Sequence, residues 1–246
     1  MIAARWGMLL VAAMLMSTVL GATASDLQPS AQRVAVTAIV GLLAPLFWPG
    51  TASTPGRTAL RIAGWSASAA CVAAITLRML GHPGQLASGA LGSCGMLMLI
   101  LLLTHTLAAG LEPRWRGSAG DAGRAREMAG RTVSVALGML GSLPLWFGPV
   151  GELLSGRHDW VIDAAIGMSP LTHLAVASDN DLLHNEWLYQ NSNLASLPVS
   201  YPDLTPLAWS YAIFCTVLTI VALALLRGRR IRIDTDCPDL TKEKPR

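Results

Sequence analysis

Long apolar stretches that contain no charged residue alternate with short charged stretches along this chain. A helix needs about 20 mostly apolar residues to cross the hydrocarbon layer of a bilayer. The pattern predicts spanning helices over residues 6–25, 34–54, 59–80, 86–109, 132–150 and 204–226. The predicted fold class is an all-α integral membrane protein with about six transmembrane helices. Residues 1–231 form one polytopic domain in this interpretation, and residues 232–246 form a tail.

Composition supports the membrane class and excludes others. Charged residues make up 13% of the 246 positions and apolar types 52%, with a mean hydropathy of +0.48. Soluble globular proteins carry about 25% charged residues. The low charge argues against a disordered chain and against a nucleic-acid partner, and it predicts the lipid bilayer as the main environment of the chain.

The arginines fall mainly on one side of the predicted spans. With both termini in the cytoplasm, one face collects Arg5, Arg57, Arg61, Arg114, Arg116, Arg124, Arg126, Arg131, Arg227, Arg229, Arg230 and Arg232. The opposite face holds only Arg33, Arg78 and Arg157. Cytoplasmic loops of membrane proteins carry an excess of Lys and Arg, so this distribution predicts two cytoplasmic termini.

The first apolar segment allows two interpretations. Arg5, the apolar run 8–20 and the small residues 22–24 have the three parts of a secretory signal peptide with a cleavage site before Ser25. The alternative is a retained first transmembrane helix. Both interpretations leave the remaining topology unchanged.

The segment between the fifth and sixth predicted spans, residues 151–203, is too long for a simple turn and is predicted to lie outside. Residues 160–168 have the intermittent apolar pattern of a short interfacial helix. Ser169 followed by Pro170 is typical of an N-cap and a first helical position. We therefore expect two short helices that lie on the outer leaflet or dip into it.

Aromatic and acidic residues mark the rest of this outer segment. Trp187 and Tyr189 stand beside polar residues, a composition suited to the headgroup level, and we expect them to contact a partner or lipid. Four nearby residues are of types that can bind metal ions: Asp179, Asp181, His184 and Glu186. Their spacing matches no named metal signature, so neither a metal nor a cofactor is predicted.

His105 is the ionisable residue that the pattern places inside a span. An intramembrane ionisable group is a functional-site hypothesis by default. Thr104 and Thr106 flank it, and the inner boundary is close. We therefore favour a neutral, hydrogen-bonded histidine that faces the helix bundle over a functional proton site.

Six spans with cytoplasmic ends, together with an outer helical hairpin before the last span, resemble the membrane subunits of ABC-2 type exporters. Such subunits often carry an Asn-Pro-Leu/Phe-x-x-Leu element at the start of the second outer helix. Ser169-Pro170-Leu171-Thr172-His173-Leu174 is similar, with Ser in place of Asn.

This resemblance implies a permease-like subunit of an export system in a bacterial inner membrane. Such a chain hydrolyses nothing itself, pairs with itself or a homologue, and works with a separate ATPase. The implied contacts with that ATPase are five arginines of the cytoplasmic face: Arg57, Arg114, Arg116, Arg124 and Arg126. A second hypothesis stays open, in which the chain is a non-catalytic subunit that anchors a larger envelope or respiratory complex. A membrane enzyme is a third.

Overall fold

The computed structural model of the protein describes residues 7–9, 11–12, 15, 29–80, 86–119, 121–146, 150, 153, 159–181 and 201–236. Every longer regular element in these ranges is a helix, and no strand occurs in them. The helices are α1 (Pro29–Leu43), α2 (Pro55–Met79), α3 (Leu86–Ala119), α4 (Ala122–Gly141), α5 (Leu143–Trp146), α6 (Asp159–Gly167), α7 (Pro170–Ala177) and α8 (Leu204–Asp236). A 3-10 turn, Ala44–Phe47, extends α1.

Among the described residues, four helical segments are long and apolar enough to cross a membrane, or five if the bent pair α6 and α7 counts as one span. The four are Pro29–Phe47, Pro55–Met79, Ala90–Trp115 and Leu204–Val221. The prediction of an all-helical chain with membrane-spanning helices is thus confirmed for the described residues. Six spans and the orientation of the termini stay predictions, and the predicted span 6–25 lies mostly outside the described residues.

The connection between the fourth and fifth predicted spans, residues 110–131, is largely helical. Helix α3 continues from its apolar part to Ala119, and α4 already begins at Ala122. Asp121 caps α4 because its side chain accepts a hydrogen bond of 3.0 Å from the Gly123 amide. Eleven of the 20 residues 112–131 are Ala, Arg or Glu, whose high helix propensity favours helix here despite four glycines and Pro113.

Three further predicted boundaries shift. The fifth span, predicted over 132–150, corresponds to α4, which ends at Gly141 and is not among the segments apolar enough to cross a membrane. The second span, predicted over 34–54, ends at Phe47. The last helix runs on to Asp236, so the first part of the predicted tail 232–246 is helical.

Helix α3 lies at the centre of the bundle and packs against α1, α2, α4, α7 and α8. Leu97 and Leu101 on α3 are fully buried in the main apolar core. Ala69 and Ala73 on α2 face the same core. Small residues let helix backbones approach closely, which explains how the Ala/Ser-rich α2 packs between its neighbours.

The bundle has two ends with different chemistry. At one end the connection 48–54 meets the break between α3 and α4; we call residues 48–61 and 112–131 the arginine end. At the other end the start of α1 meets α7; we call residues 29–33, 141–142 and 167–181 the hairpin end. The hydrogen bonds described below define both groupings.

Candidate functional site

Helices α6 and α7 are bent by 74° relative to each other at a short break, and we call this bent pair the hairpin. Ser169 is the N-cap of α7, because its hydroxyl accepts a hydrogen bond of 3.4 Å from the Thr172 amide, and Pro170 follows at the first helical position. This confirms the predicted start of the second outer helix. The same hydroxyl donates to the Gly141 carbonyl at 3.1 Å, so it also joins the hairpin to the end of α4.

Helix α7 is buried inside the bundle. Six of its eight residues are buried: Pro170, Thr172, His173, Leu174, Ala175 and Ala177. On α3, a Cβ atom built at Gly92 would lie 2.7 Å from the Ala177 carbonyl oxygen, so the backbones of α3 and α7 are in close contact there. The sequence predicted helices on or dipping into the leaflet, and the structure inserts one of the two among α1, α3, α4 and α8.

His173 connects α7 to the last helix. Its Nε2 lies 2.8 Å from the Gly167 carbonyl oxygen, and its Nδ1 lies 2.7 Å from the Tyr211 hydroxyl. A carbonyl can only accept, so Nε2 carries the proton, and in the neutral ring Nδ1 accepts from the Tyr211 hydroxyl. The two rings also meet edge to face at 5.4 Å. Both ring nitrogens of this buried histidine are therefore satisfied within the hairpin end.

The far end of α7 is held by α1. Arg33 donates from Nη2 to the Ser178 carbonyl oxygen at 2.8 Å, and Asn180 donates from Nδ2 to the Ser30 hydroxyl at 2.9 Å. A guanidinium at a helix C-terminus meets unpaired carbonyls and the negative end of the helix dipole. The hairpin is thus attached to α1, α4 and α8 by polar contacts.

An apolar cavity of about 220 Å³ lies beside the hairpin. Residues of α1, α3, α4 and α7 line it, together with Ser142 just after α4. Pro170, Leu171 and Leu174 form the part that α7 contributes. The hairpin therefore covers one side of an apolar space within the bundle.

At the arginine end, Glu112 is buried and holds the connection between α1 and α2. Its carboxylate accepts hydrogen bonds from the Thr51 amide at 2.8 Å and from the Thr51 hydroxyl at 3.1 Å. Gly50 has a φ of +86°, and a Cβ there would lie 2.8 Å from Nε of Arg126. Arg61 donates to the Thr51 carbonyl at 3.2 Å. Positive φ and the nearby arginine together require glycine at this position.

The five predicted contact arginines divide between surface and interior of the arginine end. Arg57, Arg114 and Arg124 are exposed, whereas Arg126 is partly buried against Gly50. The backbone of Arg116 lies in the last part of α3. Helix α3 has 34 residues, or about 51 Å at 1.5 Å per residue, so it exceeds a hydrocarbon layer of about 30 Å. Its arginine-bearing end has the length to project beyond that layer.

The structure places His105 fully buried between α3 and its neighbours. Its Nδ1 lies 2.9 Å from the Ser66 hydroxyl on α2, and its ring stacks on Trp48 with centroids 5.3 Å apart. Trp65 donates from Nε1 to the Ala44 carbonyl at 3.1 Å, next to the same ring pair. His105 is therefore part of a packed aromatic cluster close to the arginine end.

Only some of the residues that the sequence marks in the outer segment lie among the described residues. Trp187 and Tyr189 lie outside the described residues, as do His184 and Glu186. Of the acidic residues, Asp181 accepts a hydrogen bond of 2.6 Å from the Tyr201 hydroxyl. In the part of the chain that the structure describes, no three His, Cys, Asp or Glu side chains are grouped to hold a metal ion. The contacts of Glu112, Thr51 and Arg33 could not be inferred from the sequence, because their partners are distant in the chain.

The described part of the chain is thus all-helical, with helices fit to cross a membrane and a bent hairpin packed against them, which indicates a membrane protein. Comparisons with protein-family models, with curated proteins and with solved structures found no match to this chain.

Proposed function

We propose that this chain is the membrane-spanning, permease-like subunit of an export system that works with a separate ATPase. The observation that carries the proposal is α7, an eight-residue helix buried among longer helices and covering one side of an apolar cavity. A hairpin that only connected two spans would need no buried polar attachments. Ser169, His173 and Ser178 instead each bond to a different helix or its end.

The proposed topology has six spans, both termini in the cytoplasm, and the hairpin in the outer half of a bacterial inner membrane. The arginine distribution supports it, because Arg57, Arg114 and Arg124 share one end of the bundle. Arg33 and Arg78 lie toward the opposite end, at the start of α1 and the last turn of α2. An excess of arginine on one side is the expected mark of the cytoplasmic face.

In this proposal the ATPase binds the arginine end. The connection 48–54 contains no helix that could serve as a docking element by itself. The end of α3 and the start of α4 supply a longer surface with Arg114, Arg116 and Arg124, and Arg57 lies on the neighbouring α2. Charged groups at the rim of an interface mainly set the association rate and the choice of partner.

A second candidate function is a non-catalytic subunit that anchors a larger envelope or respiratory complex. The same short connection 48–54 favours it, since it leaves less surface for an ATPase. Helix α8 also favours it, because Trp209, Phe214 and Val217 are exposed along its apolar part. Such a face fits other membrane subunits or a second copy of this chain. Trp187 and Tyr189 would then contact an outer partner.

Purification in mild detergent, followed by mass spectrometry, separates the two candidates. If the chain is an export subunit, an ATPase that carries a Walker-A loop should be recovered with it. The double variant Arg114→Glu/Arg124→Glu should lower that recovery at least about tenfold, which corresponds to a loss of roughly 1.4 kcal/mol in binding free energy. Arg78→Glu, an exposed charge reversal at the other end, is the matched control and should leave it unchanged. Recovery of envelope or respiratory subunits with no ATPase contradicts export and supports anchoring.

A further inference from the structure

We infer that the apolar cavity beside the hairpin binds one acyl chain of a membrane lipid. This site is independent of the ATPase proposal, because it rests only on the shape and chemistry of the described helices. Its occupant is identified by three observations: an apolar lining, an opening toward an apolar surface, and a volume that fits a chain segment.

The wall of the cavity is closed on its inner side and open on one face. Leu97, Ile100 and Leu174 form the inner side and are buried. Leu42 and Gly138 also line the cavity, yet both are partly or largely exposed. The cavity therefore opens between α1 and α4.

The surface around this opening is apolar. Leu46 on the α1 side is 41% exposed, and Val135 and Met139 on α4 are more than 60% exposed. In a membrane these side chains face lipid tails, because no other described element covers them. An acyl chain of the surrounding bilayer can thus pass from the lipid into the cavity without contacting a polar group.

The lining disfavours water and polar ligands. Ser142 supplies a hydroxyl, but that group already donates to the Met139 carbonyl at 3.1 Å. Buried water needs two to four polar partners, whereas a dry apolar cavity takes up apolar molecules. None of the described residues that line the cavity is charged, so they offer a headgroup no partner there.

The volume matches part of a chain. An apolar cavity of about 150 Å³ accommodates benzene, with six carbon atoms. By proportion, a cavity of about 220 Å³ accommodates roughly nine carbon atoms, which is about half of a lipid acyl chain, counted from its methyl end. The remaining carbons and the headgroup stay in the bilayer outside the opening.

Photo-cross-linking tests the site in the full-length protein. A phosphatidylethanolamine with a diazirine near the end of one acyl chain is incorporated into nanodiscs with the protein, irradiated, and its adducts are mapped by peptide mass spectrometry. We expect adducts on residues 137–142 and 170–174 of the wild type. The variant Gly138→Leu places a side chain toward Leu42, 3.4 Å from a Cβ at position 138, and should lower the yield of those adducts about tenfold.

The matched control is Gly64→Leu on α2, where a Cβ meets no atom within 4 Å. Its adducts at 137–142 and 170–174 should equal those of the wild type. Ala38→Leu fills the cavity from α1 and gives an independent second variant if Gly138→Leu lowers the melting temperature. Two results would overturn the proposal. In the first, the wild-type adducts are confined to exposed helices such as α8; in the second, the adduct yield at the cavity is equal in the wild type and both filling variants.

Discussion

The guanidinium of Arg33 donates a 2.8 Å hydrogen bond to the carbonyl oxygen of Ser178, across 145 positions of the sequence. This bond joins the first turns of α1 to the residue that ends α7. Because a charged donor meets a helix C-terminus, the contact combines a charge-assisted hydrogen bond with a favourable dipole interaction. Arg33 thus has a structural reason to stay on the face opposite to most other arginines.

Replacing Arg33 should loosen the hairpin. Arg33→Met removes the donor and leaves the Ser178 carbonyl without this partner, and we expect a loss of about 1.5–3 kcal/mol in the free energy of unfolding. Thermal unfolding of the detergent-purified protein measures it. Arg78→Met, an exposed arginine near the same end, is the control and should change stability by less than about 0.5 kcal/mol. Equal effects of the two variants would contradict a role for the Ser178 contact.

The bond between His173 and Tyr211 should appear as an energetic coupling. Tyr211→Phe removes the hydroxyl that lies 2.7 Å from Nδ1, and His173→Phe removes the ring nitrogens. Residues in contact show coupling energies of about 0.5–3 kcal/mol in a double-mutant cycle. We expect a value in that range from the unfolding of both single variants and the double variant. Additive effects would show that α7 and α8 are not held together by this bond.

Gly92 and Gly95 on α3 should respond to alanine in opposite directions. A Cβ at Gly92 would lie 2.7 Å from the Ala177 carbonyl, so Gly92→Ala must separate α3 from α7 and should cost about 1–3 kcal/mol. At Gly95 no atom lies within 4 Å, and alanine should stabilise the helix by up to about 1 kcal/mol. Melting temperatures of the two variants provide the measurement. A stabilised Gly92→Ala variant would refute the close packing of the hairpin.

Glu112 should stabilise the connection between α1 and α2. Glu112→Ala removes the acceptor of both Thr51 hydrogen bonds, and we expect a cost of about 2–4 kcal/mol together with faster proteolysis within 50–61. Glu127→Ala is the matched control, since its carboxylate is exposed and pairs at 3.7 Å with exposed Arg131. Exposed pairs of this kind contribute little. Similar proteolysis of both variants would contradict the anchoring of the connection by Glu112.

Much of the helical content could be predicted from the sequence, because apolar length and capping residues are local signals. The N-cap at Ser169 with Pro170 is an example. The extent of α3 and α4 could not be read from hydropathy, since a charged stretch predicts a loop although Ala, Arg and Glu favour helix. Asp121, a residue type preferred at N-caps, is the local signal that marks the start of α4.

The candidate sites were less predictable because they depend on long-range contacts. In the sequence, nothing distinguishes Glu112 from a solvated carboxylate. Its burial depends on the connection 48–54, where Thr51 donates hydrogen bonds to it. Helix α7 has only eight residues, so its burial could not be inferred from periodicity. Only the neighbouring helices reveal that these side chains are enclosed.

The unbroken course of α3 has a mechanical consequence. Toward one end of α3, Gly92 lies against Ala177, and toward the other end Glu112 accepts hydrogen bonds from Thr51. About 30 Å of continuous helix separates these two contacts. A rod of that kind does not bend easily between them. A tilt of its arginine-bearing end therefore also displaces Gly92, the residue of α3 against which the end of the buried α7 packs.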